Sequence, residues 1–287
     1  MYHIMKILSR VICCLPLNVC RIIGTFLGEI TWILVPPKRK QLAVDNIIKC
    51  LKLPLKDAKV MAKKSWTRFG YMIIEVLRFP KMKEDINRYV RIEGKEHMEK
   101  ALALGKGAVM ATAHSGNWEL LGGALALNGF PIVGVAQKQK NSAFDRFINE
   151  YRAMIGMHIT YKSGVKEMFK MIGEGWVIGL LMDQDAGARN GIILDFFGRD
   201  TSCVTGPAAI ARFQGAPILP VFISQNADGT HLVQIYEAVF VEKTKDKHED
   251  MKKTTALLTQ IIEQHIRSCP NEWFWLHDRW KSVEKRS

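Results

Sequence analysis

Ala111-Thr112-Ala113-His114-Ser115-Gly116-Asn117-Trp118-Glu119 joins the end of an apolar run to the start of a helical pattern. The run, residues 107–113, is short, unbroken by charge and bounded by glycine, so it reads as a strand buried on both faces. His114, Ser115 and Gly116 then form a turn, and a helix begins near Asn117. Similar apolar runs follow at 131–135, 176–182 and 217–223. Helical patterns over 117–127, 142–155, 164–173 and 206–214 separate them, several closed by glycine. Buried strands alternating with helices predict an α/β fold with a central, mostly parallel sheet flanked by helices. Residues 231–240 read as a further strand pair, and 249–268 as a last amphipathic helix before an aromatic tail.

Upstream of about residue 80 the pattern is helical only. Between Asp57 and Phe79 the apolar positions Val60, Met61, Trp66, Phe69, Ile73, Val76 and Leu77 recur at helical spacing, and Pro80 is expected to end the helix. The stretch Val11–Val35 is mostly apolar but carries Arg21 and Glu29, with Pro16 near its start. Charges near the centre of a spanning helix cost several kcal/mol, so an interfacial helix fits better than a clean span. Lys38, Arg39 and Lys40 follow as a basic anchor for an anionic membrane surface. A signal peptide fits poorly, because Arg21 and Glu29 break its apolar region. The expected division is a membrane-associating helical segment, 1–40, and an α/β domain, 41–287.

Charge is distributed as unevenly as hydropathy. The 287 residues carry a net charge of +13, and residues 1–106 hold 21 Lys/Arg against 9 Asp/Glu, leaving the rest nearly neutral. A basic first third fits an anionic membrane or an acidic protein partner. Nucleic acid is disfavoured, because the basic residues sit among apolar helical patterns and no nucleic-acid module is present. The six cysteines form no Cys-x-x-Cys pair and read as reduced thiols, without the ligand spacing of a structural zinc site.

Ligands of open α/β sheets bind at the carboxyl ends of strands, which makes the His114 turn the place for chemistry. A helix start there offers N–H groups and partial positive charge to a developing oxyanion. His114 and Glu119, separated by four residues across the turn, are expected to bring carboxylate beside imidazole as an oriented general base. The bland alternative makes His114 a helix cap and Glu119 a dipole-compensating residue. Asp183-x-Asp185 after the 176–182 strand admits a second reading, a metal-dependent glycosyltransferase, which leaves His114 and Glu119 unexplained. A third, a non-catalytic lipid-binding scaffold, accounts for the charge asymmetry alone.

The H-x-x-x-x-E pattern after an apolar strand resembles that of the lipid A biosynthesis acyltransferases, within the lysophospholipid acyltransferase superfamily. Further motifs follow in the family's order: Arg152 in Asn149-Glu150-Tyr151-Arg152, Met182-Asp183-Gln184-Asp185, Phe196-Phe197-Gly198, Thr205-Gly206-Pro207, Pro217-Ile218-Leu219-Pro220-Val221, and Pro270-Asn271-Glu272-Trp273-Phe274-Trp275-Leu276-His277. Where the family often has two arginines after that final His, this chain reads Asp278-Arg279-Trp280. The resemblance runs to about Lys281. It implies an enzyme that moves a fatty acyl group from an acyl carrier protein thioester to a hydroxyl of a lipid A precursor or related glycolipid. His114 and Glu119 are then catalytic, with Arg152, Asn117 and Asp183 binding substrate, and no metal or cofactor is involved. The implied location is the cytoplasmic membrane of a bacterium with the site facing the cytosol. The runner-up is an acyl-CoA-dependent enzyme acting on a phosphoinositol mannoside or lysophospholipid. Trp273, Trp275 and Trp280 are expected to pack against the α/β core rather than form an interfacial belt.

Overall fold

The computed structural model describes residues 1–284. Four helices come first: α1 (Tyr2–Cys14), α2 (Leu17–Leu34), α3 (Pro37–Leu51) and α4 (Leu55–Leu77). A single turn, α5 (Phe79–Met82), leads into β1 (Val90–Glu93), α6 (Lys95–Leu102), β2 (Ala108–Thr112), α7 (Trp118–Leu127), β3 (Ile132–Ala136) and α8 (Ser142–Met154). The chain continues through β4 (His158–Tyr161), α9 (Val165–Gly173), β5 (Val177–Leu181), β6 (Ile192–Asp195), β7 (Asp200–Cys203), α10 (Gly206–Gln214) and β8 (Ile218–Gln225). It closes with β9 (His231–Ile235), α11 (Lys247–Ser268), a 3₁₀ turn at Pro270–Glu272 and the short α12 (Lys281–Glu284).

Seven strands form the central sheet in the order β1-β9-β8-β2-β5-β3-β4. β8, β2, β5, β3 and β4 run parallel, while β9 is antiparallel to β8 and carries β1 alongside. Along β2 the alternation is direct. Ala108 and Met110 enter the core under α6, α7 and α8, whereas Val109 and Ala111 enter the core that holds α9, α10, α11 and the tail. Burial on both faces is why these strands lack a polar alternation.

The expected α/β fold with a mostly parallel sheet is the observed one. Two readings change. The 231–240 segment is not a strand pair: only 231–235 is a strand, paired with β8, and Val239 adds an isolated bridge to Ile218. Pro80 does not end α4, which stops at Leu77, and instead sits in the first turn of α5, where its missing N–H costs nothing. Buried Arg78 caps the junction by donating to the Ile12 and Leu15 carbonyls, both at 2.8 Å.

The apolar Val11–Val35 stretch is broken at Pro16 into two helices. α2 packs one side on α4 through glycines: a Cβ at Gly28 would lie 2.1 Å from the Thr67 carbonyl, and one at Gly70 2.2 Å from that of Gly24. The other side of α2 exposes Ile22, Phe26, Ile30 and Ile33. By length and composition α2 is able to cross a membrane. All six cysteines are free thiols.

Candidate active site

β2 and β5 are neighbouring parallel strands with Thr112 opposite Leu181. Adjacent strands lie about 4.8 Å apart, so the second residues beyond this pair, His114 and Asp183, emerge side by side at the carboxyl edge. His114 Nδ1 lies 2.8 Å from Asp183 Oδ1. The other Asp183 oxygen accepts from the Trp273 indole N–H at 2.7 Å. Burial alone would raise the Asp183 carboxyl, but the His114 charge and the hydrogen bonds from His114 and Trp273 together outweigh it and hold the pKa at about 2. In the neutral imidazole an ionised, fully engaged carboxylate selects the tautomer in which Nδ1–H donates to Asp183 and Nε2 carries the lone pair. The imidazole is 22% exposed, enough for a substrate to reach Nε2. The Gln184 amide nitrogen stands 3.4 Å from that atom.

The backbone around His114 is held by the tail. Phe274 N–H donates to the His114 carbonyl at 3.2 Å, and Gly116 N–H donates to the Glu272 carbonyl at 3.1 Å. Gly116 has φ 63°, and a Cβ there would sit 2.1 Å from the Ile223 carbonyl; only glycine lets the turn lie this close to β8. Trp118 meets the His114 ring edge-on, 5.1 Å between centroids.

Glu119 stands elsewhere than its spacing predicts. Both its oxygens accept from Arg152, from Nε at 2.7 Å and from Nη2 at 2.6 Å. The carboxylate beside the imidazole is therefore Asp183, because the neighbouring strand delivers it there while Glu119 faces α8. Arg152, expected to be a fixed cation for substrate, has its fork on Glu119 and a third bond from Nη1 to Asn149 at 3.2 Å. Asn117, expected to bind substrate, is buried and works inside the fold. Its Oδ1 caps α7 by accepting from Leu120 N–H at 3.1 Å, and its Nδ2 donates to Glu75 at 2.8 Å. Glu75 in turn holds His231 Nε2 at 2.6 Å.

Sequence reasoning placed Asp183 in the site without its partner, since strand order is not written in the chain. It passed over Trp273 as a carboxylate clamp and Gln184 as a neighbour of Nε2. The signal for both was the presence of polar atoms in the motifs already singled out.

The three tail tryptophans are fully buried, as the packing expectation required. Phe197 takes φ 61° in the β6–β7 turn, an uncommon conformation for a bulky residue. It is held by Glu263, which accepts its N–H at 2.6 Å, and by stacking on Trp273. Arg279 locks the tail by donating to Thr201 Oγ1 at 2.8 Å and to the Ser202 carbonyl at 2.6 Å. Burial lowers the His277 imidazole pKa, and the Asp185 N–H donates to its Nε2 at 3.2 Å. An apolar cleft of about 470 Å³ opens beside it, lined by Val35, Trp66, Phe274 and Leu276 among others.

Asp183 is wholly engaged inside the fold and Asp185 in part. Both Asp183 oxygens are taken, and Asp185 Oδ2 accepts from the Ser282 hydroxyl at 2.5 Å. Among the described residues no group of three or more His, Cys, Asp or Glu is arranged to hold a metal ion.

Residues 1–282 match the sequence model of the bacterial lipid A biosynthesis acyltransferase family. The chain belongs to this family. It is 32% identical to a phosphatidylinositol mannoside acyltransferase of Mycobacterium tuberculosis, over 74% of this chain and 67% of that protein. It is 24% identical to the lipid A biosynthesis lauroyltransferase of Escherichia coli, over 69% of this chain and 63% of that protein. A 1-acyl-sn-glycerophosphate acyltransferase of Thermotoga maritima superposes at TM-score 0.40 with 12% identity, over 82% of this chain and 96% of the other, too loose a likeness to carry an inference. The molecule is an acyltransferase, and the reaction it must perform is the attack of an acceptor on an activated acyl group.

Proposed function

We propose that this acyltransferase moves a fatty acyl group from an acyl carrier protein thioester to a hydroxyl of a lipid A precursor or related glycolipid. The observation that carries the reading is the line Trp273–Asp183–His114, which ends in an accessible Nε2 lone pair at the carboxyl edge of the sheet. His114 Nε2 takes the acceptor hydroxyl proton as the oxygen attacks the thioester carbonyl. Asp183 supports the imidazolium so formed. The tetrahedral oxyanion develops beside the amino terminus of α7, whose dipole favours it. The C–S bond then breaks, and the proton passes from Nε2 to the departing thiolate. Glu119 and Arg152 act as a bidentate pair that sets the start of α7 against α8 and borders the acyl-transfer site.

The exposed apolar faces of α1 (Ile4, Ile7, Leu8, Val11) and α2 favour attachment to the bacterial inner membrane through residues 1–40. Lys52, Lys56 and Lys59 stand exposed before and along the first turns of α4, and an acidic carrier protein suits them by charge. A second acceptor, a phosphatidylinositol mannoside, is favoured by the 32% identity to the mycobacterial enzyme.

Purified protein supplied with acyl carrier protein or coenzyme A thioesters, and with either glycolipid, tests this by mass spectrometry of the product. Faster acylation of the lipid A precursor from the carrier protein is the expected result. Transfer to the mannoside alone would assign the second acceptor, and transfer to neither would overturn both.

A further inference from the structure

A second recess, of about 310 Å³, opens where α2 and α4 meet the turn between β8 and β9. Arg21 on α2 lines it together with Lys64, Arg68 and Tyr71 on α4, and Gln225 at the end of β8 closes it with Asn226, Ala227 and Gly229 of the following turn. Three cations thus converge from two helices. The Arg21 charge acts on the neighbouring Tyr71 hydroxyl, and its Nε is buried with no hydrogen-bond partner among the described residues. Arg68 donates to the Glu272 carbonyl and stands 3.9 Å from the Glu272 carboxylate. Lys64 is exposed at the rim.

Three carboxylates face this group: Glu75, which holds Asn117 and His231, Asp228 and Glu272, whose Oε2 stands beside Arg68. Asp228 accepts from the Thr230 N–H at 2.8 Å and from its hydroxyl at 2.6 Å. Glu272 accepts from the Gln225 N–H at 2.8 Å. The Arg21 and Lys64 side chains line the recess, and an anionic oxygen there would take charge-assisted hydrogen bonds from them.

Position narrows the ligand. β8 runs parallel to β2, so the turn after β8 stands at the same edge of the sheet as His114, with Gly116 packed on Ile223 between them. On the outer side, Ile22 and Phe26 next to Arg21 and Thr25 belong to the exposed apolar face of α2. An anion held here sits between the catalytic turn and a face suited to lipid.

We propose that Arg21, Lys64 and Arg68 form a subsite for a phosphate ester carried by a lipid. The lipid source rests on the reading of a membrane acceptor, whereas the anion chemistry stands on the recess alone.

The test is equilibrium binding to the full chain in neutral detergent, corrected for empty micelles. The probes are labelled dihexanoyl phosphatidic acid, the matching diacylglycerol, and inorganic phosphate. Phosphatidic acid should bind in preference to diacylglycerol, and Arg21→Gln/Lys64→Gln should weaken it about tenfold or more, as expected for charge-assisted hydrogen bonds. Lys166→Gln/Lys252→Gln removes the same charge at exposed positions elsewhere and should leave binding unchanged. Displacement only by excess unlabelled phosphatidic acid supports a lipid-borne group, whereas displacement by millimolar inorganic phosphate overturns the lipid source. Equal binding by the Arg21/Lys64 variant and wild type, with unchanged melting temperature, overturns the subsite. So does equal binding of the neutral lipid. His114→Ala should keep phosphate binding while losing turnover, so failure of the acyl-transfer reading remains separable.

Discussion

At His114 the imidazole orientation matters more than its presence. Nδ1 is committed to Asp183, and only Nε2 can serve as base. The spacing of His114 and Glu119 suggested a different partner, because sequence distance shows what a turn can bring together but not what a neighbouring strand delivers. The actual use of Glu119 gives a prediction at Arg152. Two parallel N–H bonds hold the carboxylate, and lysine offers a point charge in place of the planar fork. Arg152→Lys should therefore retain the ion pair, lose its geometry, and lower kcat about tenfold or more with the fold intact. Steady-state kinetics at saturating donor check this, and wild-type kcat in the variant would free Arg152 from any positioning role.

Among the elements, the buried strands were legible because they are short apolar runs without alternation. The helices between them were legible through spacing and closing glycines. β1, β4 and the β6–β7 hairpin were not, since each strand is only four residues long, and β1, β4 and β6 are partly exposed. Strand order was not legible either, and with it the pairing of His114 and Asp183. The join of α2 to α4 was also hidden. Glycine is a weak helix former in sequence, whereas in three dimensions Gly24, Gly28 and Gly70 let two backbones touch. Gly28→Ala would drive a methyl to 2.1 Å from the Thr67 carbonyl, and backbone cannot yield as a side chain does. A loss of about 1–3 kcal/mol is expected, read as a lowered denaturation midpoint. The exposed Ile33→Ala should change it by less than about 0.5 kcal/mol. Equal stability of Gly28→Ala and wild type would mean that α2 does not rest on α4 as described.

Across the whole molecule, buried titratable groups link stability to pH. His265 is buried between Ser115 and Phe222, and burial, then the Arg68 charge, lowers its pKa to about 4. Its folded pKa lies below the unfolded value, so the unfolded chain binds the proton more readily. Its contribution is complete above pH 6.5 and falls away as pH drops towards 4, by about 3 kcal/mol. Asp183, held at about 2, adds a second loss from the ordinary aspartate range downward. Denaturation at stepped pH should show stability falling below pH 6.5, and His265→Gln should flatten the interval from 6.5 to 4. An unchanged slope in that variant would show that His265 is not the group responsible. The same tail that buries these residues pins the His114 turn, so acid unfolding and loss of activity should run together.

Asp183 is the carboxylate that orients His114. The direct measurement is kcat/KM of Asp183→Asn beside wild type, with melting temperature recorded on the same preparations. Asparagine keeps the shape and still accepts from Trp273, but it removes the charge that supports the imidazolium. The predicted result is a loss of about 10² to 10⁴-fold in kcat/KM, the range in which general acid–base groups act, with the protein still folded. A folded Asp183→Asn variant that turns over within a few-fold of wild type would contradict it.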